Sequence, residues 1–168
     1  YKSISAEAYT KHGLNCHGII FDELHTQQSR DLWDVMTTSV GARRQPLIIS
    51  LTTAGHDRAS ICYEMHEYSE GLLNGSIEDE SFLPVLYKAD PNDDWTDPET
   101  WKKANPGYGS ICNEAYFMDA VKKAKANPSM INSFLRLHLN IWTSAETAWI
   151  PDDTYMKGDK PIPYDRLP

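Results

Sequence analysis

At 168 residues, 40% hydrophobic and 24% charged, the chain is long enough for a full core and too ordinary in composition for a disordered or fibrous protein. A net charge of −8 argues against a surface dominated by coating nucleic acid, and no apolar run approaches the roughly 20 residues a membrane helix needs. Cys16, Cys62 and Cys112 lie far apart with no CxxC spacing, which disfavours structural zinc and a disulfide framework and fits a reducing cytosol.

The first residues, "YKSISAEAYT", carry no initiator Met and no apolar signal-peptide core, and "PYDRLP" stops without closing an element; both ends are expected to be cuts. "HGIIFDEL" reads as a short buried strand of a parallel sheet, because a continuous apolar run is bounded by polar residues. Leu32, Val35, Met36 and Ser39 then recur at helical spacing and predict a helix over about 29–40, with Gly41 as its stop. "PLIISLTTAG" predicts a second buried strand running into a turn. Ile61, Met65, Tyr68 and Leu72 predict a second helix ending before Gly75. "SFLPVLYKA" predicts a third strand, from Phe82 to Ala89. The order strand–helix–strand–helix–strand is that of a parallel α/β sheet.

The character then changes. Residues 78–99 hold eight acids against one base, Lys88, which reads as a solvated, turn-rich segment. "DPETWKKANP" predicts a short helix between prolines. "NEAYFMDAVKKAKANP" predicts an amphipathic helix that Asn113 can cap, with Phe117, Ala120, Val121 and Ala124 on one side. "SMINSFLRLHLNIW" fits a helix through Ile131, Phe134, Leu135, His138 and Trp142; the alternation of Leu135, Leu137, Leu139 and Ile141 would also suit a strand, and helix is the expectation. The tail "PDDTYMKGDKPIPYDRLP", with four prolines in 18 residues, reads as a linker.

The chemistry concentrates where "GIIF" ends in Asp22 and Glu23. The C-terminal end of a parallel strand is where open α/β sheets bind ligands. In nucleotide hydrolases one carboxylate there holds Mg²⁺ against the β- and γ-phosphates, while the next orients the attacking water. The bland alternative is that the pair merely opens a loop. Thr52 and Thr53, at the end of the next strand, could sense a γ-phosphate or its water; strand-end turn chemistry would also explain them.

"HGLNCHGIIFDELH", "VGARRQPLIISLTTAG", "ANPGYGS" and "FLRLHLNIWTSAETAWI" together resemble the large terminase subunit of tailed phages or prophages, over roughly residues 1–157. The resemblance implies a partial P-loop ATPase domain of the RecA/ASCE type: ATPase core over 1–90, a small helical subdomain over 91–150, and a linker over 151–168 towards a nuclease domain beyond Pro168. It implies an ATP-driven motor that packages double-stranded DNA, working in the bacterial cytoplasm at the procapsid portal. Its partners would be DNA, the small terminase subunit, the portal and further copies of itself in a ring. On this resemblance Asp22 is the Walker B acid associated with Mg²⁺, Glu23 the catalytic glutamate, and Thr52 and Thr53 the coupling motif that links hydrolysis of ATP to movement.

The chain departs from that pattern in holding no GxxxxGK[ST], so the phosphate-cradling loop and its lysine are missing, and by itself it is expected to have neither ATPase nor nuclease activity. Arg43 and Arg44, before the second strand, could reach phosphate of ATP or DNA, or simply be solvated; Arg30 and Arg136 are weaker candidates. His25 could join the acids to the next element, although a surface hydrogen bond explains it as well. His12, His17 and Cys16 suggest metal only superficially, because no second cluster completes a site. Trp142 and Trp149 read as packing residues rather than base-stacking platforms, since their surroundings are not basic. Two other readings stay open. A DExH-type helicase matches "DELH" but should bring a second RecA-like domain with an arginine-rich motif. A non-catalytic prophage remnant or assembly module fits the missing phosphate loop.

Overall fold

The computed structural model describes residues 2–4, 13–27 and 29–145. Strand β1 spans Gly18–Asp22 and pairs in parallel with β2, Leu47–Leu51, in a register that sets Gly18 against Leu47 and Asp22 against Leu51. Between them lies α1, Asp31–Thr38; after β2 comes α2, Ile61–Leu73. Both helices cover one face of the sheet. There Ile19 and Phe21 are buried with Leu24, Leu32, Met36, Ile61 and Cys62, and the Trp33 ring lies 4.8 Å from Phe21.

Both strands were expected to be buried; β1 is buried on one face only, and β2 holds no fully buried residue, with Ile48 partly covered. Side chains alternate across a strand. The second face therefore carries Ile20 and its register partner Ile49, with Leu47 and Leu51, all exposed, Ile20 by 61%.

The predicted third strand does not form. Residues 82–90 join no ladder, and the described sheet has two strands. Pro84 supplies no N–H in the middle of that run, which disfavours pairing on either side. Leu83, Val85 and Tyr87 are exposed, and the segment is tied down at its end, where Ala89 N–H donates to the Leu139 carbonyl at 3.0 Å.

The helices follow their local signals. Ser60 caps α2 by accepting from Tyr63 N–H. Gly75, with φ 77°, ends it, and Gly71 lets the chain fold back, because a Cβ there would meet Ile77 Cδ1 at 2.6 Å. Helix α3, Pro98–Ala104, starts with Asp97 accepting from Glu99 N–H and proline in its first turn. Asn113 caps α4, Glu114–Ala126, as expected. The ambiguous stretch is helical over Ile131–Leu139, as α5, and stops at Asn140, which is left-handed at φ 53°, ψ 36°; Trp142, expected on the helix, lies beyond it.

Helices α3, α4 and α5 build a second core around Ala89, Trp101, Phe117, Val121, Ala124, Phe134, Leu139 and Ile141. After Asn140 the chain returns to the first core through Trp142. Among the described residues no helix is long and apolar enough to cross a membrane. The linker read over 151–168, with His12 and Trp149, lies outside the described residues.

Candidate functional site

Pairing of Asp22 with Leu51 places both strand ends at one edge, so Asp22 and Glu23 emerge beside Thr52 and Thr53. Asp22 is exposed at the end of β1. Glu23 follows in the left-handed region, at φ 52° and ψ 51°, a conformation uncommon for a non-glycine residue. It turns the chain sharply into a 3-10 turn, Leu24–Thr26, and it is held there. Thr26 donates to the Glu23 carbonyl from both its N–H and its hydroxyl at 2.9 Å, while Leu24 is buried beneath. A strained backbone fixed this firmly is a common feature of working sites.

His25 is the hinge of the cluster. Its backbone N–H donates to Thr52 Oγ1 at 3.0 Å, and its ring Nδ1 lies 3.1 Å from the same oxygen, 3.5 Å from Thr53 Oγ1 and 3.1 Å from Glu23 Oε2. The side chain of His25 is 16% exposed and that of Glu23 57%. Thr52 in turn donates to the Thr53 carbonyl at 2.8 Å and lies 3.6 Å from Cys62 Sγ. Burial pushes the Cys62 thiol above its ordinary pKa, with the Thr52 hydrogen bond opposing. It is a core thiol, as its isolation in the sequence suggests.

The far side of the Thr52–Gly55 turn meets the segment after α5. Asn140 Oδ1 accepts from Ala54 N–H at 3.4 Å, its Nδ2 donates to the Tyr87 carbonyl at 2.8 Å, and Thr143 N–H donates to the Gly55 carbonyl at 3.4 Å. Trp142 packs against Gly55 and sits edge-on to Tyr63 at 4.8 Å. It is a packing residue.

Arg43 and Arg44 precede Leu47, the end of β2 that pairs with Gly18, so a five-residue strand of about 3.3 Å per residue separates them from the acids. Arg43 Nη2 donates to the Asn15 carbonyl at 2.8 Å and braces that loop. Arg30 pairs with Asp34 at 3.1 Å and Glu64 at 2.9 Å. Arg136 is buried near His56 Nδ1, at 3.4 Å. Among the described residues no group of three or more His, Cys, Asp or Glu could hold a metal. Surface depressions bounded by Leu14, Val35, Ser39 and Ala42, and by Met65, Gly71 and Ile77, include neither acid.

The hydrogen bonds of Asn140 and the Gly55–Trp142 approach are not signalled in the sequence. Asn at a helix end is a known stop, but its long-range partners are decided by folding.

A family model of the terminase large subunit ATPase domain matches residues 1–71, and one of the terminase large subunit endonuclease domain matches residues 76–166. The change between them falls at the end of α2 and the turn that follows. The second match covers the stretch read from sequence as a helical subdomain and linker. The chain is 37% identical over 137 residues to Protein YmfN of Escherichia coli K12, covering 82% of this chain and 30% of that protein. It is 30% identical to the terminase large subunit of Enterobacteria phage HK97, covering 96% of this chain and 32% of that protein. The crystal structure of the HK97 large terminase superposes with a TM-score of 0.72 at 30% identity, over 84% of this chain and 29% of that one. The chain thus spans about a third of the length of these relatives. From its motifs, its family matches and its fold, the chain belongs to the terminase large subunit family.

Proposed function

We propose that this chain carries the hydrolytic strand ends of an ATP-driven motor that moves double-stranded DNA into viral procapsids. The observation that carries this reading is the register of β1 and β2, which sets Asp22 and Glu23 beside Thr52 and Thr53 at the C-terminal edge of a parallel sheet.

In this reading Asp22 takes the Mg²⁺ of the nucleotide. The fit rests on donor chemistry: an exposed carboxylate with no closed cage of His, Cys or acid side chains around it, among the described residues, suits an ion that keeps several waters and shares substrate phosphates. The ion, when bound, would neutralise charge developing on the phosphates. Glu23 orients and polarises the attacking water; its exposed carboxylate sits on a backbone that Thr26 and Leu24 hold still. Thr52 and Thr53 report the state of that carboxylate to the rest of the chain through the turn they open. Arg43 and Arg44, at the other end of the sheet, are better placed for DNA phosphate than for the nucleotide.

These 168 residues hold no phosphate-cradling loop, so the reading requires one from another part of the polypeptide. The 168 residues by themselves are proposed to be inactive. Nuclease action, the small subunit, the portal, a ring of copies and a place in the host cytoplasm belong to the same proposal, drawn from the family. In the full-length protein Glu23→Gln should preserve ATP binding and remove most hydrolysis, by about 100-fold or more as for a general base. Wild-type turnover in that variant would end the assignment.

A further inference from the structure

We propose that His25 is a positioning residue for this reaction, and that its Nδ1 is a junction the Glu23 carboxylate and the coupling threonines compete for. The inference rests on the reading of Glu23 as the water-orienting group and deepens it.

A ring nitrogen offers one hydrogen-bonding position, as donor when protonated and as acceptor when not. Among the described residues three oxygens lie within 3.5 Å of His25 Nδ1: Glu23 Oε2 and Thr52 Oγ1, each at 3.1 Å, and Thr53 Oγ1 at 3.5 Å. An ionised carboxylate only accepts, so the Glu23 contact requires a proton on Nδ1. A threonine hydroxyl can donate, so the proton-free Nδ1 can take a bond from Thr52 or Thr53, and Glu23 is then released. The two arrangements exclude each other at one atom. Moving between them takes a proton off Nδ1 and adds one at Nε2 by exchange with water, and needs no large displacement of the chain.

The fixed and movable parts are distributed as such a junction requires. His25 is anchored by its own N–H on Thr52 Oγ1 and by buried Leu24 before it. Glu23 is the exposed partner, and its side chain is free to leave. Thr52 has one hydroxyl proton and three acceptors within reach: the Thr53 carbonyl at 2.8 Å, Nδ1 at 3.1 Å and Cys62 Sγ at 3.6 Å. A change at Glu23 therefore alters which bond Thr52 makes at the start of the turn that Asn140 and Trp142 hold from the other side.

The test compares His25→Ala, His25→Asn and His25→Gln in the full-length protein. Nucleotide binding, basal ATP turnover and turnover stimulated by linear double-stranded DNA are measured, with Glu23→Gln alongside. An Asn amide reaches the place of Nδ1, whereas a Gln amide reaches that of Nε2. Expected is nucleotide binding within about twofold of wild type for all three, loss of about tenfold or more in stimulated turnover for Ala and Gln, and substantial recovery for Asn. Wild-type stimulated turnover in His25→Ala, or recovery by Gln equal to that by Asn, overturns the proposal. If His25→Ala does not fold, the Asn–Gln comparison still decides. An inactive Glu23→Gln beside a fully active His25→Ala removes His25 alone; an active Glu23→Gln removes the reading of Glu23 on which it rests.

Discussion

Gly55 and Trp142 touch so closely that a Cβ on Gly55 would lie 3.0 Å from Cζ3 and 3.2 Å from Cη2 of the indole. The same added carbon would sit in ordinary contact with His25 Cβ, at 3.5 Å, so the indole is the tight neighbour. Gly55→Ala is expected to destabilise the fold by about 1–3 kcal/mol, as overpacking of a well-filled site does. Chemical unfolding measures the loss, and Trp142→Leu, by opening the space, should make the two changes less than additive. Full additivity would show that the contact is not the cause.

Asn140 joins α5 to both neighbouring segments from a left-handed backbone. Asn140→Gly keeps that conformation and loses the bonds to Ala54 and Tyr87; Asn140→Ala loses the bonds and strains the backbone as well. The alanine variant should be the less stable by about 1 kcal/mol, since αL costs an alanine roughly that much. Equal midpoints in urea would argue against backbone strain at this site.

His138 is half-buried between the rings of Phe134, at 4.8 Å, and Tyr116, at 5.4 Å, and burial pushes its pKa below the ordinary 6.5. A depressed histidine leaves the folded state neutral while the unfolded state takes up a proton. Its contribution is whole above about pH 6.5 and is lost as the pH falls below that value towards the lowered folded pKa. His66, lowered by burial as well, acts in the same window. His138→Phe should flatten the acid side of a stability–pH curve measured between about pH 7.5 and 5. An unchanged slope would exclude His138 as a source.

The uncovered sheet face is expected to make the 168-residue chain associate. Ile20 and Ile49 face each other there, with Leu47 and Leu51 beside them, all exposed. Replacing Ile20 and Ile49 with Thr keeps strand-forming shape and should shift the chain towards monomer in sedimentation, with little change in its unfolding midpoint. Unaltered association would place the contact elsewhere.

Much of this was readable along the chain because the signals are local. The acids end an apolar run, so Asp22 and Glu23 must stand at a strand end. Asn113 precedes an amphipathic run, so it caps a helix. The apolar spacing from Ile131 to Leu139 suits a helix, even though alternation competed with it. The run from Phe82 to Ala89 misled because apolar β-prone residues promise a strand, whereas Pro84 denies the pairing a donor.

Sequence alone determined at which ends of their elements the candidate residues Asp22, Glu23, Thr52 and Thr53 stand, because strand termini and helix caps depend on neighbours a few residues away. Tertiary structure alone decided that β1 and β2 end side by side, that three oxygens meet at His25 Nδ1, and that Asn140 and Trp142 close over the turn at Gly55. Apart from Glu23 and His25, which are two positions apart, those contacts join residues 27 to 87 positions apart, where no local spacing specifies them; they follow from parallel register and from packing two cores against one turn.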